Sequence, residues 1–372
     1  MSRPASQSLP AQLESKLSHP HIPALDGLRA VAVFLVIVSH FGFEMVPGAH
    51  GVMIFFVLSG FLITWLLLKE NDRSGTISLA AFYKRRTLRI FPAFYVYWLI
   101  MIAFLVGTGR SVLWPHAWSA LFYTSNYYSA INGDPNNGFS HTWSLAIEEQ
   151  FYLLWPFLFL LLRGNLKRMT VFLGAVIGAV WIHRAILCFG FHVDQAYIYA
   201  AFDTRLDELM VGCLVAVLLK RRALSGLWRA VSANALLPFA TLAILAASIY
   251  LGELYVVRYR DVFGFAIEPL LVAVLVVQMI SFSSTGLWKW TEWDAVKFLG
   301  RISYSLYLYQ QLTLHAVKKA LGAYPEVLQL AGAIIVTIIL ATISYYLIER
   351  PFLKLKSASP RLPKKLVYEA VT

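Results

Sequence analysis

The chain has 372 residues, of which 59% are hydrophobic, 15% aromatic and only 14% charged, and its mean hydropathy is +0.64. Soluble domains carry about 25% charged residues, so this composition excludes a soluble globular protein and describes an integral membrane protein. The net charge of +12 does not point to nucleic acid, because the basic residues are punctuated by apolar runs and not gathered in one patch; loop charge accounts for them.

Residues 1–24 are polar, with no apolar run or small-residue cleavage site of the signal-peptide kind. They read as a short disordered cytosolic arm. Runs of about 17–22 mostly apolar residues then predict ten spans, near 28–46, 51–68, 90–107, 142–162, 169–190, 205–219, 233–252, 262–281, 298–317 and 328–348. The fold class is therefore all-α, a polytopic membrane bundle over 25–353, followed by a basic cytosolic tail, 354–372. Loops on the side of the N-terminus carry KENDRSGTISLAAFYKRR, RGNLKR, KRRALSGLWR and KWTEWDAVK, whereas the opposite side has little beyond Arg110, Arg258, Arg260, Lys318 and Lys319. The positive-inside rule places both termini in the cytoplasm. Residues 114–131 are aromatic and moderately apolar, but a span there would invert every later loop; they read as interfacial or re-entrant. Cys188 and Cys213 sit far apart in apolar segments and suggest neither a disulfide nor a metal site.

Ionisable groups inside a bilayer are costly and mark function by default. In the first span Arg29 precedes His40 by eleven residues, which on a helix is three turns plus roughly 20° and roughly 16 Å of rise. Both therefore share one face, Arg29 toward the cytoplasm and His40 toward the outside. A neutral imidazole accepts a proton near physiological pH; the plainer account is a core histidine bonded to a neighbouring helix. Glu44, one turn on, either orients it or marks the interface. In the fourth span His141, Ser144, Glu148 and Tyr152 follow i, i+3, i+7, i+11 spacing and form one polar stripe, whereas Glu149 falls beside Leu145 and Leu153. Counted from the outer end, Glu148 is about as deep as His40, which predicts that carboxylate and imidazole meet.

Ahead of the third span, Lys84, Arg85, Arg86 and Arg89 present i+3 and i+4 pairs suited to phosphate recognition. Topological anchoring would produce much the same cluster, and Pro92 is expected near a helix start. Ser59 and Gly60 in the second span allow close approach of a helix or a ligand. Asp203, Arg205, Asp207 and Glu208 gather at the outer end of the sixth span, as ion pairs or as an outward-facing sugar site.

Taken together, LDGLRAVAVFLVIVSH (25–40), GVMIFFVLSGFLIT (51–64), FYKRRTLRIFP (82–92), HTWSLAIEEQFYLLWP (141–156), DTRLDELMVG (203–212), LGRISYSLYLYQQ (299–311) and YYLIERPF (345–352) resemble, in order, the membrane-bound acyltransferase-3 family. The resemblance covers about 22–353. It implies an enzyme of the bacterial inner membrane that takes an acyl group, usually acetyl, from cytosolic acyl-CoA (acetyl-CoA) and places it on a hydroxyl of a carbohydrate or lipid-linked glycan acceptor, with no metal. The family's R-x10-H element falls on Arg29 and His40, its basic loop on Arg85, Arg86 and Arg89, its W-S-L-x-x-E element on Trp143, Ser144, Leu145 and Glu148, and its SGFLI element on Ser59 to Ile63. The chain departs from the family at Met53, where many members have Asp, and at Gln310, where many have His. Some relatives carry a C-terminal esterase-like domain; with about twenty residues after the last span, this chain is expected to stand alone.

On this reading Lys84, Arg85, Arg86 and Arg89 hold the phosphates of CoA and Arg29 stands where the pantetheine arm enters. His40 acts as general base or as transient acyl carrier, the two left open, and Glu148 orients its ring. Ser59, Gly60, His141, Ser144, Tyr152, Arg205 and Asp207 are candidate substrate contacts. The alternative is a proton-coupled transporter of a sugar or lipid-linked intermediate with His40 and Glu148 as relay. Its expected pair of interrupted helices at matching positions is not found.

Overall fold

The computed structural model describes residues 8–19, 21–43 and 45–355. Every regular element among them is helical. Helix α1 (Ala11–Ser18) corrects the expectation of a disordered arm over 1–24: Leu9, Leu13 and Leu17, spaced every four residues, bury one stripe. Lys16 bonds Glu292 at 2.7 Å, and Glu14 pairs with Arg222. Residues 1–7, and most of the tail expected over 354–372, lie outside the described residues.

α2 (Pro23–Phe41) opens with Pro at its first turn and closes on Gly42, whose φ of 118° lies in the left-handed region that glycine tolerates. α3 (Gly48–Ser74) follows. α4 (Leu79–Gly107) starts eleven residues earlier than the predicted span at 90, because Ser78 caps it and AAFYKRRTL extends it toward the membrane surface. Pro92 therefore sits inside the helix and not at its start, at the cost of one backbone hydrogen bond. α5 (Trp114–Leu121) and α6 (Ser125–Asn132), eight residues each, are about 12 Å long and cannot cross a ~30 Å hydrocarbon layer. They form a lid of Trp114, Trp118 and Phe122 outside and His116, Ser125 and Asn126 inside. Burial pushes the His116 imidazole below its ordinary pKa.

α7 (Thr142–Leu161), α8 (Leu166–Ala185, continued as a π-helix over Ile186–Phe191), α9 (Gln195–Ala200), α10 (Phe202–Arg221), α11 (Ser225–Val231), α12 (Leu237–Leu254) and α13 (Phe265–Phe282) complete the middle of the bundle. α14 (Asp294–Arg301), α15 (Ser303–Ala320), α16 (Glu326–Ser344) and α17 (Arg350–Leu355) close it. Among the described residues, eight helices are long and apolar enough to cross a membrane. α10 and α15 occupy the predicted sixth and ninth spans and are long enough, about 30 and 27 Å, but carry too many polar residues to qualify by composition. Protein packing explains α10: α3 and α8 flank it, and Thr204, Arg205, Asp207 and Glu208 are all buried. The chain is an integral, polytopic helical membrane protein.

At the α3–α10 crossing the two backbones come into direct contact. A Cβ on Gly60 would overlap the Leu209 carbonyl, and one on Gly212 would overlap the Val57 carbonyl. Glycine at both positions lets the two backbones touch. Gly212→Val is expected to abolish recovery of folded protein, since a backbone atom cannot give way, whereas Gly174→Ala, with open space around it, should leave the thermal midpoint unchanged or slightly raised. Size-exclusion profiles and thermal scans in detergent check both; a monodisperse Gly212→Val protein with an unshifted midpoint would refute the crossing.

Candidate functional site

Five helices, α2, α3, α4, α7 and α15, enclose a cleft of about 660 Å³, counting the part open to solvent. Its clear bore is narrow. Arg29 from α2, Ser59 from α3, Arg86 and Arg89 from α4, Glu148, Glu149 and Tyr152 from α7, and Ser303, Tyr304 and Tyr307 from α15 line it, with Phe55, Phe56 and Leu145 as apolar wall.

The hydrogen bonds inside form an ordered relay. Tyr152 Oη donates to Ser59 Oγ at 3.0 Å, and Ser59 Oγ donates to Glu148 Oε1 at 2.5 Å. Arg29 Nε donates to Ser303 Oγ at 3.2 Å, with its guanidinium 5.6 Å from the Phe55 ring, while Arg86 lies 4.9 Å from the Tyr152 ring. Three guanidinium groups thus face two carboxyl groups in a space with little water, where charges interact far more strongly than in bulk. The cation excess suits an anionic guest.

The basic cluster divides. Arg86 and Arg89, at i and i+3, turn into the cleft. Arg85 points away and pairs with Glu70 at 2.7 Å, and Lys84 is exposed. Gly60 packs on α10 and does not line the cleft, while its neighbour Ser59 does.

His40 and Glu148 do not meet. His40 is exposed in the last turn of α2, where its Nδ1 lies 3.2 Å from Gln310 Oε1 and 3.5 Å from Gln311 Nε2. Glu148 instead shares the cleft with Arg29, roughly 16 Å along α2 from His40. Counting depth from helix ends misled here because α2 ends at Phe41, five residues short of the predicted 46: His40 lies one residue from its helix end, whereas Glu148 is six residues into α7. Glu44 lies outside the described residues.

Two residues of the cleft wall, Ser144 and Tyr307, lead to a buried histidine. Ser144 Oγ and Tyr307 Oη are 2.6 Å apart, and Tyr307 Oη donates to the His141 carbonyl at 2.9 Å. The His141 ring is 2% exposed, lies 5.4 Å from the Tyr307 ring and 5.5 Å from the Tyr97 ring, and neither of its nitrogens has a hydrogen-bond partner among the described residues. His40 and His116 are its titratable neighbours.

Arg205 and Asp207 lie elsewhere, fully buried behind this wall, which corrects the outward-facing sugar site as a reading of that cluster. Asp207 accepts two bonds from Arg184, at 3.1 and 2.8 Å, and one from Trp181 at 2.9 Å. Arg205 stands 2.8 Å from Glu208, in a contact too bent to count as a hydrogen bond, and 4.2 Å from the Phe265 ring. The bonds from Arg184 and Trp181 hold α10 to α8, whereas Arg205–Glu208 is an i,i+3 pair within α10.

Four contributors escaped the sequence reading: Glu149, Ser303, Tyr304 and Tyr307. Residues 144, 145, 148, 149 and 152 span about 140° of the α7 circumference, wider than the single stripe assumed, so Glu149 faces the cleft beside Glu148. On α15, the i, i+1, i+4 pattern of Ser303, Tyr304 and Tyr307 was available in RISYSLYLYQQ as a signal.

Comparison with known proteins fits this geometry. A Bacillus subtilis protein provisionally named peptidoglycan O-acetyltransferase YrhL is 32% identical over 90% of the chain. Peptidoglycan O-acetyltransferase OatA of Listeria monocytogenes is 30% identical over 91%, and O-acetyltransferase OatA of Staphylococcus aureus 31% over 95%. The matches cover 55%, 57% and 61% of those proteins, so the chain spans somewhat over half of their length. No solved structure gives a significant match. The family described as acyltransferase domain matches residues 22–346, from just before α2 to the end of α16, and the chain belongs to that acyltransferase-3 family.

Proposed function

We propose that the protein is a membrane O-acetyltransferase that moves an acetyl group from acetyl-CoA to a hydroxyl of a cell-wall glycan. The observation that carries this reading is the cleft of Arg29, Arg86 and Arg89, with His40 roughly three turns along the same face of the helix that brings Arg29 into it. Loop charge supports an orientation with the Arg86 end and both termini in the cytoplasm of a bacterial cell. Acyl-CoA then enters where its phosphates meet Arg86 and Arg89, and its pantetheine arm, an extended chain, follows the bore past Arg29. The acceptor arrives from the outer face, where His40 is exposed.

In the reaction the acceptor oxygen attacks the thioester carbonyl, the new C–O bond forms and the C–S bond breaks. His40 takes the hydroxyl proton, which ends on the CoA sulfur. The names of the relatives support peptidoglycan as the acceptor.

The test uses purified protein in detergent with [14C]acetyl-CoA and soluble peptidoglycan strands, without any gradient. Radiolabel on the glycan is expected; label that stays on CoA while the protein is folded would overturn the reading. Arg86→Met/Arg89→Met should weaken acetyl-CoA binding about 10²–10⁴-fold, as expected from losing two charge-assisted contacts of about 1.5–3 kcal/mol each. An unchanged Kd returns these arginines to a topological role.

A further inference from the structure

Gln310 has no part in the reading above, yet it is fully buried and both ends of its amide are engaged. Its Nε2 lies 3.1 Å from the backbone carbonyl of Tyr307, and its Oε1 lies 3.2 Å from Nδ1 of His40. A carbonyl oxygen can only accept, so the Tyr307 side dictates which end of the amide is NH2. The flipped amide would set two acceptor oxygens against each other in a buried place and leave one of them unpaired. The atom facing His40 is therefore an oxygen, and an oxygen there requires hydrogen on Nδ1.

Gln311 competes weakly. Its Nε2 could donate to Nδ1 only in the other tautomer, and at 3.5 Å it is at the limit of hydrogen bonding. The Gln310 bond is shorter, at 3.2 Å, and comes from a fully buried amide whose other end is already held.

We infer that Gln310 is a positioning residue that holds His40 in the Nδ1–H tautomer, leaving the Nε2 lone pair to take the proton from the acceptor hydroxyl. The inference rests on His40 being the base. Because the amide is neutral, it fixes the ring without adding a counter-charge. The imidazolium formed during attack then keeps its Nδ1–H bond to Gln310 and gives up only the Nε2 proton, to the departing CoA sulfur. Once that proton has left, the ring is again in the tautomer in which it began and is ready for the next hydroxyl.

Two measurements test this. The first compares 15N spectra of [15N]histidine-labelled wild-type and His40→Gln proteins in nanodiscs at pH 8, so that the difference reports His40 alone. A protonated, pyrrole-type Nδ1 with a pyridine-type Nε2 is expected; a protonated Nε2 overturns the inference whatever the activity. The second is kinetic. Gln310→Met, similar in volume but without an acceptor oxygen, should lower kcat about 10–100-fold with KM for acetyl-CoA within twofold. A Gln310→Met enzyme within twofold of wild type, in a background where His40→Gln is inactive, overturns the positioning role. Activity retained by His40→Gln itself would instead sink the base reading, and the spectra would still decide the tautomer.

Discussion

Replacement of His40 by glutamine is expected to lower acetyl transfer by about 10²–10⁴-fold, the range in which a positioned acid or base contributes, while acetyl-CoA binding stays within twofold. The separation follows from geometry. The cation-rich cleft that would take the donor is centred on Arg29, and His40 lies roughly 16 Å away along the same helix. His40 is also exposed at its helix end, so its loss opens no cavity and the thermal midpoint should not move. Initial rates, donor Kd and a melting curve on one preparation distinguish the outcomes. Full activity in a folded His40→Gln protein would remove His40 from the reaction, and joint loss of binding and stability would make it a structural residue.

Arg184→Met is expected to have the largest effect on stability. Arg184 and Asp207 are both 0% exposed and share two hydrogen bonds, and Arg184 also donates to the Thr204 carbonyl at 2.6 Å. Removing the cation strands a carboxylate in a water-free interior, which costs about 3–5 kcal/mol. Arg184→Met/Asp207→Leu should regain most of that loss, because an apolar pair of similar volume is often no less stable than a buried ion pair. Denaturation in mixed micelles reads both. A double variant as unstable as the single one would show that Arg184 contributes through the Thr204 carbonyl and the packing of α8 on α10, and not through the charge pair.

Much of the architecture was readable from hydropathy and loop charge, since the bilayer sets span length whatever the tertiary contacts. Eight predicted spans correspond to helices apolar enough to cross, and the segment at 114–131 proved too short to do so. What one chain's periodicity does not carry is vertical offset between helices. Glu148 was placed beside His40 by counting from helix ends, but α2 stops at Phe41, which leaves His40 at its helix end and Glu148 level with Arg29. The α1 helix was missed because its leucines are spread through a polar stretch and gain meaning only once α1 packs on α13. Arg86 and Arg85 are adjacent in sequence but face different partners, the cleft and Glu70, a distinction that needs the angular position of α4 relative to its neighbours.

The contacts that build the site also set a timetable for making it. Arg29 meets Ser303 and His40 meets Gln310 across 274 and 270 residues of chain, and Lys16 meets Glu292 across 276. At about 5–20 residues per second of synthesis, the first helix waits on the order of 14–55 s for the partners that complete it. A ribosome that stops before α15 leaves in the membrane a chain that contains Arg29, His40, the arginines of α4 and Glu148 but has neither half of its site locked. Until then the histidine is untethered, so the site is complete only as the last fifth of the chain is inserted.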